Sequence, residues 1–339
     1  MGCGNVAIAT VVVLLVLLAV YMAGGEASGA AETFIRKPWD AAAAMAQLVY
    51  SDSIGGWVSD VSIGSRRVKA LVSTGTFLLY VPDLHPCPPM AGCAGAVRIP
   101  PPAAKTIMTK ANVRLGGARF RTDVTGTSAA RNHGPGPILG LLSNAPSAGF
   151  RQRSPGRGVV DTLSTGCLIF DFRMRSDGYV RLVAPPLLAP RGLTAWLAWL
   201  AGGGRRPDAV VPVASGVLVP SATLWGDGLD QTGNYFIAPL YGLDPKTGYN
   251  AAGMNFVLFE VGTTLNQVPA PPAGDITLRF QQGGIPMRKT ATSLTPFLDL
   301  VSQTSNGNGP PAAIGILGNQ SLLGHVLVLD SVNQMFAIY

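Results

Sequence analysis

Charged side chains are scarce in this chain of 339 residues, since Asp, Glu, Lys and Arg together make up 13%. An average soluble domain carries about 25% of such residues, so the composition excludes a coiled coil or a solvated helical array. Apolar residues, at 47%, are too abundant for a charge-driven disordered chain. Glycine and proline are plentiful instead, with 42 and 27 residues, and they interrupt the apolar runs. This pattern is typical of a compact, loop-rich, mostly β protein.

Histidine and cysteine are also scarce, which bears on metal binding and on the redox compartment. The three histidines lie far apart in the sequence, and no Cys-x-x-Cys pair is present. We therefore expect no metal site and no cofactor. The four cysteines are Cys3, Cys87, Cys93 and Cys167. The short spacing of Cys87 and Cys93, in a loop rich in proline and glycine, suits a local disulfide in an exported protein, which leaves Cys167 as a buried free thiol.

The formal net charge of +7 comes from 25 cationic residues against 18 acidic ones. The cations form small clusters without interleaved aromatic residues, for example at 66–69 and 205–206. These clusters do not assemble the phosphate contacts that nucleic-acid binding needs, so we expect no nucleic-acid partner. The same charge gives a weak affinity for acidic surfaces such as pectic polymers, so a cell-wall polymer stays open as a partner.

An uncharged run of 18 residues extends from Val6 to Ala23, and small residues follow it up to Ala31. This layout predicts a cleavable secretory signal over residues 1–31, and hence a secreted protein of the extracellular space, apoplast or cell wall. The run is near the lower length limit for crossing a bilayer, and no Lys or Arg precedes it. An uncleaved signal anchor, and with it a membrane location, therefore stays open.

An internal repeat is the most informative feature of the chain. The segments Val68 to Pro82 and Phe256 to Pro269 each read as a buried strand, a turn centred on glycine, a second apolar strand and Val-Pro. They are offset by 187 residues. An Ile-Leu-Gly follows in each half, at Ile138 and at Ile316, with an offset of 178 residues. Two repeated pairs in the same order predict two similar β lobes whose turns face each other across a cleft.

These segments resemble the pepsin-like aspartic proteases, particularly the plant members, over nearly the whole mature chain. Ala70 to Pro82 is similar to the segment that contains Asp-Thr-Gly-Ser in that family, and Phe259 to Pro269 to the plant form Asp-Ser-Gly-Thr-Thr-Leu. The end of the chain, from Ile316 to Tyr339, resembles the family's closing strands. The resemblance implies an all-β fold, a two-lobed pepsin-like double β-barrel with a few short helices. It divides the chain into a short N-terminal segment at 32–48, an N-terminal lobe at 49–200 and a C-terminal lobe at 201–339.

Aligning the two turns puts Ser73 and Glu260 at the positions that hold the catalytic aspartates in the family. The cleft turns around them are Thr74, Gly75 and Thr76 in the first half and Val261, Gly262 and Thr263 in the second. The family's chemistry needs two carboxylates that share one proton, and Ser73 has no carboxylate. Glu260 keeps an acid, but its extra methylene moves the carboxyl by about 1 Å, which costs rate. Val261 lacks the hydroxyl that the family offers beside its second aspartate.

The resemblance also implies a flap over the cleft and the location of other groups. The stretch 115–120 stands where the family's Tyr-Gly-Asp-Gly is expected, with Phe120 as a possible surrogate for the tyrosine. Cys87 and Cys93 stand where the family has a small disulfide loop. A nucleophilic Ser73 would need a histidine base, for which His325 is the candidate. Asn319 begins the one glycosylation sequon, and its place beside Ile-Leu-Gly predicts that it is buried.

We therefore expect a secreted, monomeric homologue of the pepsin-like proteases that is not catalytic. Its partner would be a protein or peptide ligand in the cleft between the lobes, or a cell-wall polymer. The cereal xylanase inhibitors are similar non-proteolytic relatives, although they are rich in disulfides and this chain is not. The alternative is an aspartic-type endopeptidase with an atypical site, which would work with Glu260 and a water held by Ser73.

Overall fold

The computed structural model describes thirteen stretches of the chain, namely residues 44–81, 94–98, 106–127, 136–143, 156–183, 212–218, 223–226, 229–232, 235–270, 274–288, 290–292, 314–331 and 334–339. They lie within one compact unit, Ala42–Pro185 together with Pro212–Tyr339. The predicted signal segment and the predicted disulfide between Cys87 and Cys93 lie outside the described residues.

The described residues form mainly strands, which confirms the prediction of an all-β fold with a few short helices. The helices are α1 (Val159–Thr162) and α2 (Asn319–Leu322). The strands are β1 (Ala44–Ser51), β2 (Gly56–Ile63), β3 (Arg66–Ser73), β4 (Leu79–Tyr80), β5 (Ala94–Arg98), β6 (Thr106–Leu115), β7 (Ala118–Thr127), β8 (Ile138–Gly140), β9 (Cys167–Asp171), β10 (Gly178–Val183), β11 (Ala214–Val217), β12 (Thr223–Gly226), β13 (Leu229–Thr232), β14 (Ile237–Pro239), β15 (Phe256–Phe259), β16 (Asn266–Val268), β17 (Thr277–Arg279), β18 (Gln282–Pro286), β19 (Thr290–Thr292), β20 (Ile314–Leu317), β21 (Val326–Asp330) and β22 (Met335–Ile338). None of the described helices is long and apolar enough to cross a membrane.

A closed barrel of six strands forms in the first half, in the order β2, β3, β8, β4, β7 and β6, because β6 pairs again with β2. Alternation of side chains along a strand explains which face is inside. In β3, for example, Val68, Ala70 and Val72 are buried, whereas Arg67 and Lys69 point outward and are exposed. The barrel carries Ser73 at the end of β3, at the rim.

The second half contains a five-stranded sheet in the order β14, β15, β20, β16 and β19. Strands from both halves are joined through the run β22, β21, β9, β10 and β1, which continues into the barrel. An aromatic cluster of Phe259, Phe280 and Phe336, with ring centroids 4.9 to 6.2 Å apart, packs beneath the end of β15. The tight packing fixes the backbone that leads into Glu260.

The internal repeat predicted from the sequence recurs in the pairing of the strands. In the first half β8 inserts between β3 and β4, parallel to β3 and antiparallel to β4. In the second half β20 inserts in the same way between β15 and β16. The register is also repeated with the offsets of 187 and 178 residues, since the facing residues are Leu71 with Ile138, Tyr80 with Ile138, Leu258 with Ile316 and Gln267 with Ile316. The repeat is therefore structural and not a chance recurrence of short apolar strings.

Candidate functional site

Strands β3 and β15 bring Ser73 and Glu260 into direct contact. The buried residues Val72 and Phe259 lie directly before Ser73 and Glu260, and a loop with glycine follows in each half, so each polar residue lies at the end of its strand. The Ser73 hydroxyl donates a hydrogen bond to Oε1 of Glu260 at 3.0 Å. The two residues that the repeat pairs by sequence thus face each other, as the expected meeting of the two turns requires.

The Glu260 carboxylate is held by donors from both turns. Its Oε1 accepts the backbone N–H of Gly262 at 2.7 Å and that of Thr74 at 3.2 Å, in addition to the Ser73 hydroxyl. The Ser73 Oγ in turn accepts the backbone N–H of Gly75 at 3.1 Å. The hydrogen bonds form a chain that ends on Oε1 of Glu260, and the donors to this oxygen favour the ionised form of the carboxyl.

Burial dominates the electrostatics of Glu260, whose residue is only 8% exposed. Desolvation disfavours the charged form and raises the pKa of Glu260 to about 7. The hydrogen bonds from Gly262, Ser73 and Thr74 stabilise the anion and act in the opposite direction. The effect of burial on the pKa is larger than that of the hydrogen bonds, so the carboxyl is protonated in acid and ionises around neutral pH.

Two glycines permit the close approach of the turns. A Cβ atom on Gly75 would lie 1.9 Å from Oε2 of Glu260. A Cβ atom on Gly262 would lie 2.8 Å from Oε1 of Glu260 and 2.9 Å from Cβ of Ser73. Such contacts are far shorter than van der Waals distances, so the glycines are needed for space beside the carboxylate.

Thr74 links the two turns through its side chain, whereas Val261, its counterpart in the second turn, does not. Thr74 is fully buried, and its hydroxyl donates to the Phe259 carbonyl at 2.7 Å while it accepts the N–H of Val261 at 3.1 Å. Val261 is equally buried but apolar, so it returns neither bond. Val261 has no hydroxyl, as the sequence shows, so Thr74 alone contributes these two side-chain hydrogen bonds. The outer turn residues Thr76 and Thr263 are part-exposed, and their carbonyls accept the N–H groups of Leu142 and Asn319.

Several residues near the site were not found by sequence reasoning. The turn between β1 and β2 approaches the second half, where the Thr264 hydroxyl donates to the Gly55 carbonyl. Asn319, at the start of α2, donates from Nδ2 to the Val261 carbonyl at 3.2 Å. Gln320 donates to the Tyr50 hydroxyl at 2.5 Å. The partners in each bond lie more than 50 residues apart in sequence, and neither the Ile-Leu-Gly repeat nor the sequon at Asn319 indicates which residue each side chain meets. Asn319 is fully buried, as its sequon was predicted to be.

The predicted flap is wrong for the stretch 115–120. Leu115 and Ala118 close the hairpin of β6 and β7, and Gly116 adopts a φ of 55° at its turn. A Cβ atom on Gly116 would lie 1.8 Å from the Met45 carbonyl, so the turn packs against β1. The Gly-Gly pair therefore serves an ordinary hairpin turn, which needs a left-handed residue, rather than the tip of a flap.

The position of this turn along the barrel also excludes it from the site. Leu115 faces Val61, which is five residues along β2 from Gly56. Gly56 is the end of β2 that lies beside Gly262. At about 3.3 Å per residue the turn is roughly 16 Å from that end. Phe120 is part-buried and packs against the core, so it does not replace a flap tyrosine.

The candidate histidine base is not paired with Ser73. His325 Nδ1 lies 3.1 Å from the carbonyl of Tyr339, at the end of the chain. The Ser73 hydroxyl instead donates to Glu260 and accepts from Gly75. The arrangement therefore gives no support to a serine nucleophile that is activated by His325, because the two side chains are not hydrogen-bonded to each other.

The described residues contain a single cysteine, Cys167. Cys167 is free and buried, as predicted, and burial together with the charge of Asp330 raises the pKa of its thiol. Such a thiol is inert at neutral pH. In the part of the chain that the structure describes, no group of three His, Cys, Asp or Glu side chains could hold a metal ion.

Comparison with known proteins finds similarity in structure and none in sequence. No protein-family model matches the sequence, and no curated protein matches it. The chain is similar to the solved structure of an aspartic proteinase from Irpex lacteus, with 12% sequence identity and a TM-score of 0.47. The match covers 87% of this chain and 97% of that one. Function depends on the site and not on the fold, so the chemistry of Ser73 and Glu260 has to be derived from their own atoms.

Proposed function

We propose that this chain is a pepsin-like aspartic protease homologue that does not hydrolyse peptides and acts as a secreted binding or inhibitor-like protein. The observation that carries the proposal is the hydrogen bond from the Ser73 hydroxyl to Glu260 Oε1 at 3.0 Å. Hydrolysis by a carboxylate pair needs one group to take a proton from water while the other gives a proton to the scissile carbonyl. A hydroxyl beside one carboxylate supplies a single titrating group, so the pair cannot carry out both transfers.

The packing around Glu260 supports the same conclusion. Its Oε1 already accepts three hydrogen bonds, from Ser73, Thr74 and Gly262. Its Oε2 lies against Gly75, where even a methyl group would clash. An attacking water would have to displace these contacts to reach the carboxylate, which costs the hydrogen bonds that stabilise a buried anion.

The binding role draws on the accessible part of the same turns. Ser73, Gly75, Thr76, Gly262 and Thr263 are all part-exposed. Leu265, two residues after Thr263, is 38% exposed and offers an apolar contact. An extended peptide suits such a surface, because backbone groups and small polar side chains at strand ends bind main-chain amides. Secretion rests on the uncharged run Val6 to Ala23, which is a feature of the sequence alone.

An aspartic-type endopeptidase with an atypical site is the second candidate, and one observation favours it. A pKa of about 7 for Glu260 is in the range that suits a general acid or base at neutral pH. This reading requires a water held by Ser73 and polarised by Glu260. It predicts weak cleavage that depends on one ionisation near pH 7, rather than the two ionisations of a carboxylate pair.

A cleavage assay separates the two candidates. The full chain and the variants Ser73→Asp, Glu260→Asp, the double variant of both, and Glu260→Gln are incubated with an unfolded protein from pH 3 to pH 8. A peptide inhibitor with a hydroxyl that mimics the transition state is added in parallel. We expect no cleavage by the parent and inhibitor-sensitive cleavage in acid by the double variant. Cleavage by the parent that the inhibitor blocks and that Glu260→Gln abolishes would overturn the proposal.

The binding role is tested with peptides. A library of unstructured peptides is passed over the immobilised parent, and the retained peptides are measured again on two variants. Thr76→Arg fills the part-exposed surface of the first turn, whereas Thr277→Arg adds the same charge and bulk at an exposed position of β17. Retention that is lost in Thr76→Arg and kept in Thr277→Arg supports a ligand at the turns. Equal retention by both variants contradicts it.

A further inference from the structure

The adjacent strands β3, β2, β6 and β7 present a strongly basic outer face. Its exposed cations are Arg67, Lys69, Lys110, Arg114, Arg119 and Arg121. Among the described residues of these four strands, Asp60 is the one exposed carboxylate, and it pairs with Arg67 at 2.6 Å. The other acid, Asp123, is buried and accepts the backbone N–H of Arg157 at 2.7 Å. This face, called the basic face below, carries six of the 25 cationic residues of the chain.

The register arranges the charges of the basic face in rows. Residues directly opposite each other on neighbouring strands share a face of the sheet. One row crosses all four strands through Arg67, Ser62, Arg114 and Arg119. Neighbouring strands are about 4.8 Å apart, so this row is roughly 14 Å long. In the next row Asn112 faces Arg121. The small polar side chains of Ser62 and Asn112 therefore lie beside the arginines of these two rows.

Folding does not account for the basic face. Arg114 and Arg119 face each other directly, and like charges in that position destabilise a strand pair. The Arg114 side chain donates from Nε to the Gly116 carbonyl of its own hairpin turn, at 3.1 Å, and this acceptor carries no charge. A cluster that costs stability and lies on the surface indicates a partner that supplies the opposite charge.

The chemistry of the basic face selects among possible partners. The large apolar side chains that are exposed, such as Met45, Ile54 and Met174, all lie outside its four strands. A protein interface needs apolar or aromatic residues at its centre, and a single-stranded nucleic acid needs aromatic platforms for its bases. The two rows that cross the strands offer neither, since their outward residues are Arg67, Ser62, Arg114, Arg119, Asn112 and Arg121. Guanidinium groups instead match carboxylates in a bidentate way, and the hydroxyl and amide between them can bind sugar hydroxyls.

We infer that the basic face binds a linear acidic polysaccharide whose sugar units carry carboxylates. Arg114 and Arg119 pair with carboxylates of the polymer, and Ser62 and Asn112 beside them hydrogen-bond its hydroxyls. The site is separate from Ser73 and Glu260, and it stands whether or not the function proposed above is correct.

Binding of a defined polymer tests the inference. The full chain is titrated with polygalacturonate and with the same polymer after complete methyl esterification, over a series of salt concentrations. The variant Arg114→Gln/Arg119→Gln removes two charges from the row. The control Arg279→Gln/Arg288→Gln removes two exposed charges from β17 and from the segment after β18. We expect binding of the charged polymer alone, weakened at least tenfold in the first variant and less than twofold in the control.

Salt dependence provides a second measure of the same contacts. The logarithm of the affinity for a polyanion falls linearly with the logarithm of the salt concentration, and each cation removed from the site lowers the slope by about one. The slope measured for Arg114→Gln/Arg119→Gln should therefore be smaller than that of the parent by about two, and the slope for Lys69→Gln/Lys110→Gln should be smaller by a similar amount. Urea unfolding of each variant checks that the fold is kept, which is expected because all four positions are exposed.

Three results would overturn the inference. Equal weakening in the Arg114/Arg119 and the Arg279/Arg288 variants would mean that only total charge matters. Equal binding of the esterified polymer would exclude recognition of carboxylates. Tighter binding of single-stranded DNA or of vesicles rich in phosphatidylserine than of polygalacturonate would assign the basic face to another class of partner.

Discussion

Replacing Glu260 by glutamine isolates the energetic effect of the buried carboxyl. Glutamine has nearly the shape of a protonated glutamic acid, and its amide oxygen can still accept the N–H groups of Gly262 and Thr74 and the Ser73 hydroxyl. It cannot ionise. The difference in unfolding free energy between Glu260→Gln and the parent therefore reports how strongly the fold disfavours the Glu260 anion.

The magnitude and the sign follow from the pKa of Glu260. The folded protein raises this pKa from 4.5 to about 7, chiefly by burial. Each pKa unit corresponds to 1.36 kcal/mol, so the difference is about 3 kcal/mol. Because the folded state holds the proton more tightly than the unfolded chain, the stabilising contribution is fully present below pH 4.5. It is lost as the pH rises towards 7, and the parent should lose about 3 kcal/mol that Glu260→Gln keeps.

The assay is urea unfolding of both proteins at intervals from pH 4 to pH 8, at constant ionic strength. Other titrating groups contribute equally to both proteins, so they cancel in the difference. Asp275→Asn is a matched control, because it removes one exposed carboxyl that is solvated in the folded and the unfolded chain. Its curve should follow that of the parent. Glu260→Gln should gain about 3 kcal/mol over the parent between the two ends of the range.

A flat difference would refute the reasoning. If Glu260→Gln and the parent differ by the same amount, within about 0.5 kcal/mol, at pH 4 and at pH 8, Glu260 is not destabilised by burial. A gain by the parent as the pH rises would show that the hydrogen bonds from the two turns outweigh desolvation. Either result would also remove the observation that favours a general acid or base at this position.

Three further substitutions test the contacts of the site by urea unfolding. Gly75→Ala should lower the free energy of unfolding by about 2 kcal/mol, because its methyl group overlaps Glu260 Oε2. The control Gly117→Ala, at an open hairpin position, should change it by less than about 0.5 kcal/mol. Equal effects of the two variants would contradict the close packing at Gly75. Ser73→Ala should cost about 2 kcal/mol at pH 8, where its hydroxyl donates to a charged carboxylate, and less at pH 4; a loss independent of pH would contradict that bond. Thr74→Val keeps the shape but loses two buried hydrogen bonds and should cost about 2 kcal/mol at every pH, so a neutral result would exclude the link between the turns.

The repeat made the meeting of Ser73 and Glu260 predictable from sequence. Two copies of a strand, a glycine turn and a later Ile-Leu-Gly imply the same pairing in each half, and the register of Leu71 with Ile138 is indeed repeated by Leu258 with Ile316. Apolar periodicity and glycine position encode such local pairing directly. The all-β class and the buried state of free Cys167 followed from composition and spacing in the same way.

Contacts between distant loops were not predictable, and neither was the role of one glycine turn. The hydrogen bonds of Thr264 with Gly55 and of Gln320 with Tyr50 join residues with no pattern in common. Gly116 was misread because a Gly-Gly pair meets the needs of a hairpin turn and of a flap tip equally well. Only the pairing of β6 with β2 decides between them, and it places the turn against β1.

The basic face and the pair Ser73 and Glu260 both place polar or charged side chains close together, which affects the stability of the fold. Two carboxylates about 3 Å apart repel each other, and this strain is part of what gives a proteolytic pair its chemistry. With a hydroxyl in place of one carboxylate, the strain becomes a hydrogen bond that links the two turns. On the barrel surface, by contrast, Arg114 faces Arg119, and their like charges repel each other. A bound polyanion would offset this repulsion, whereas the turns that carry Ser73 and Glu260 contain no second acid that repels the carboxylate.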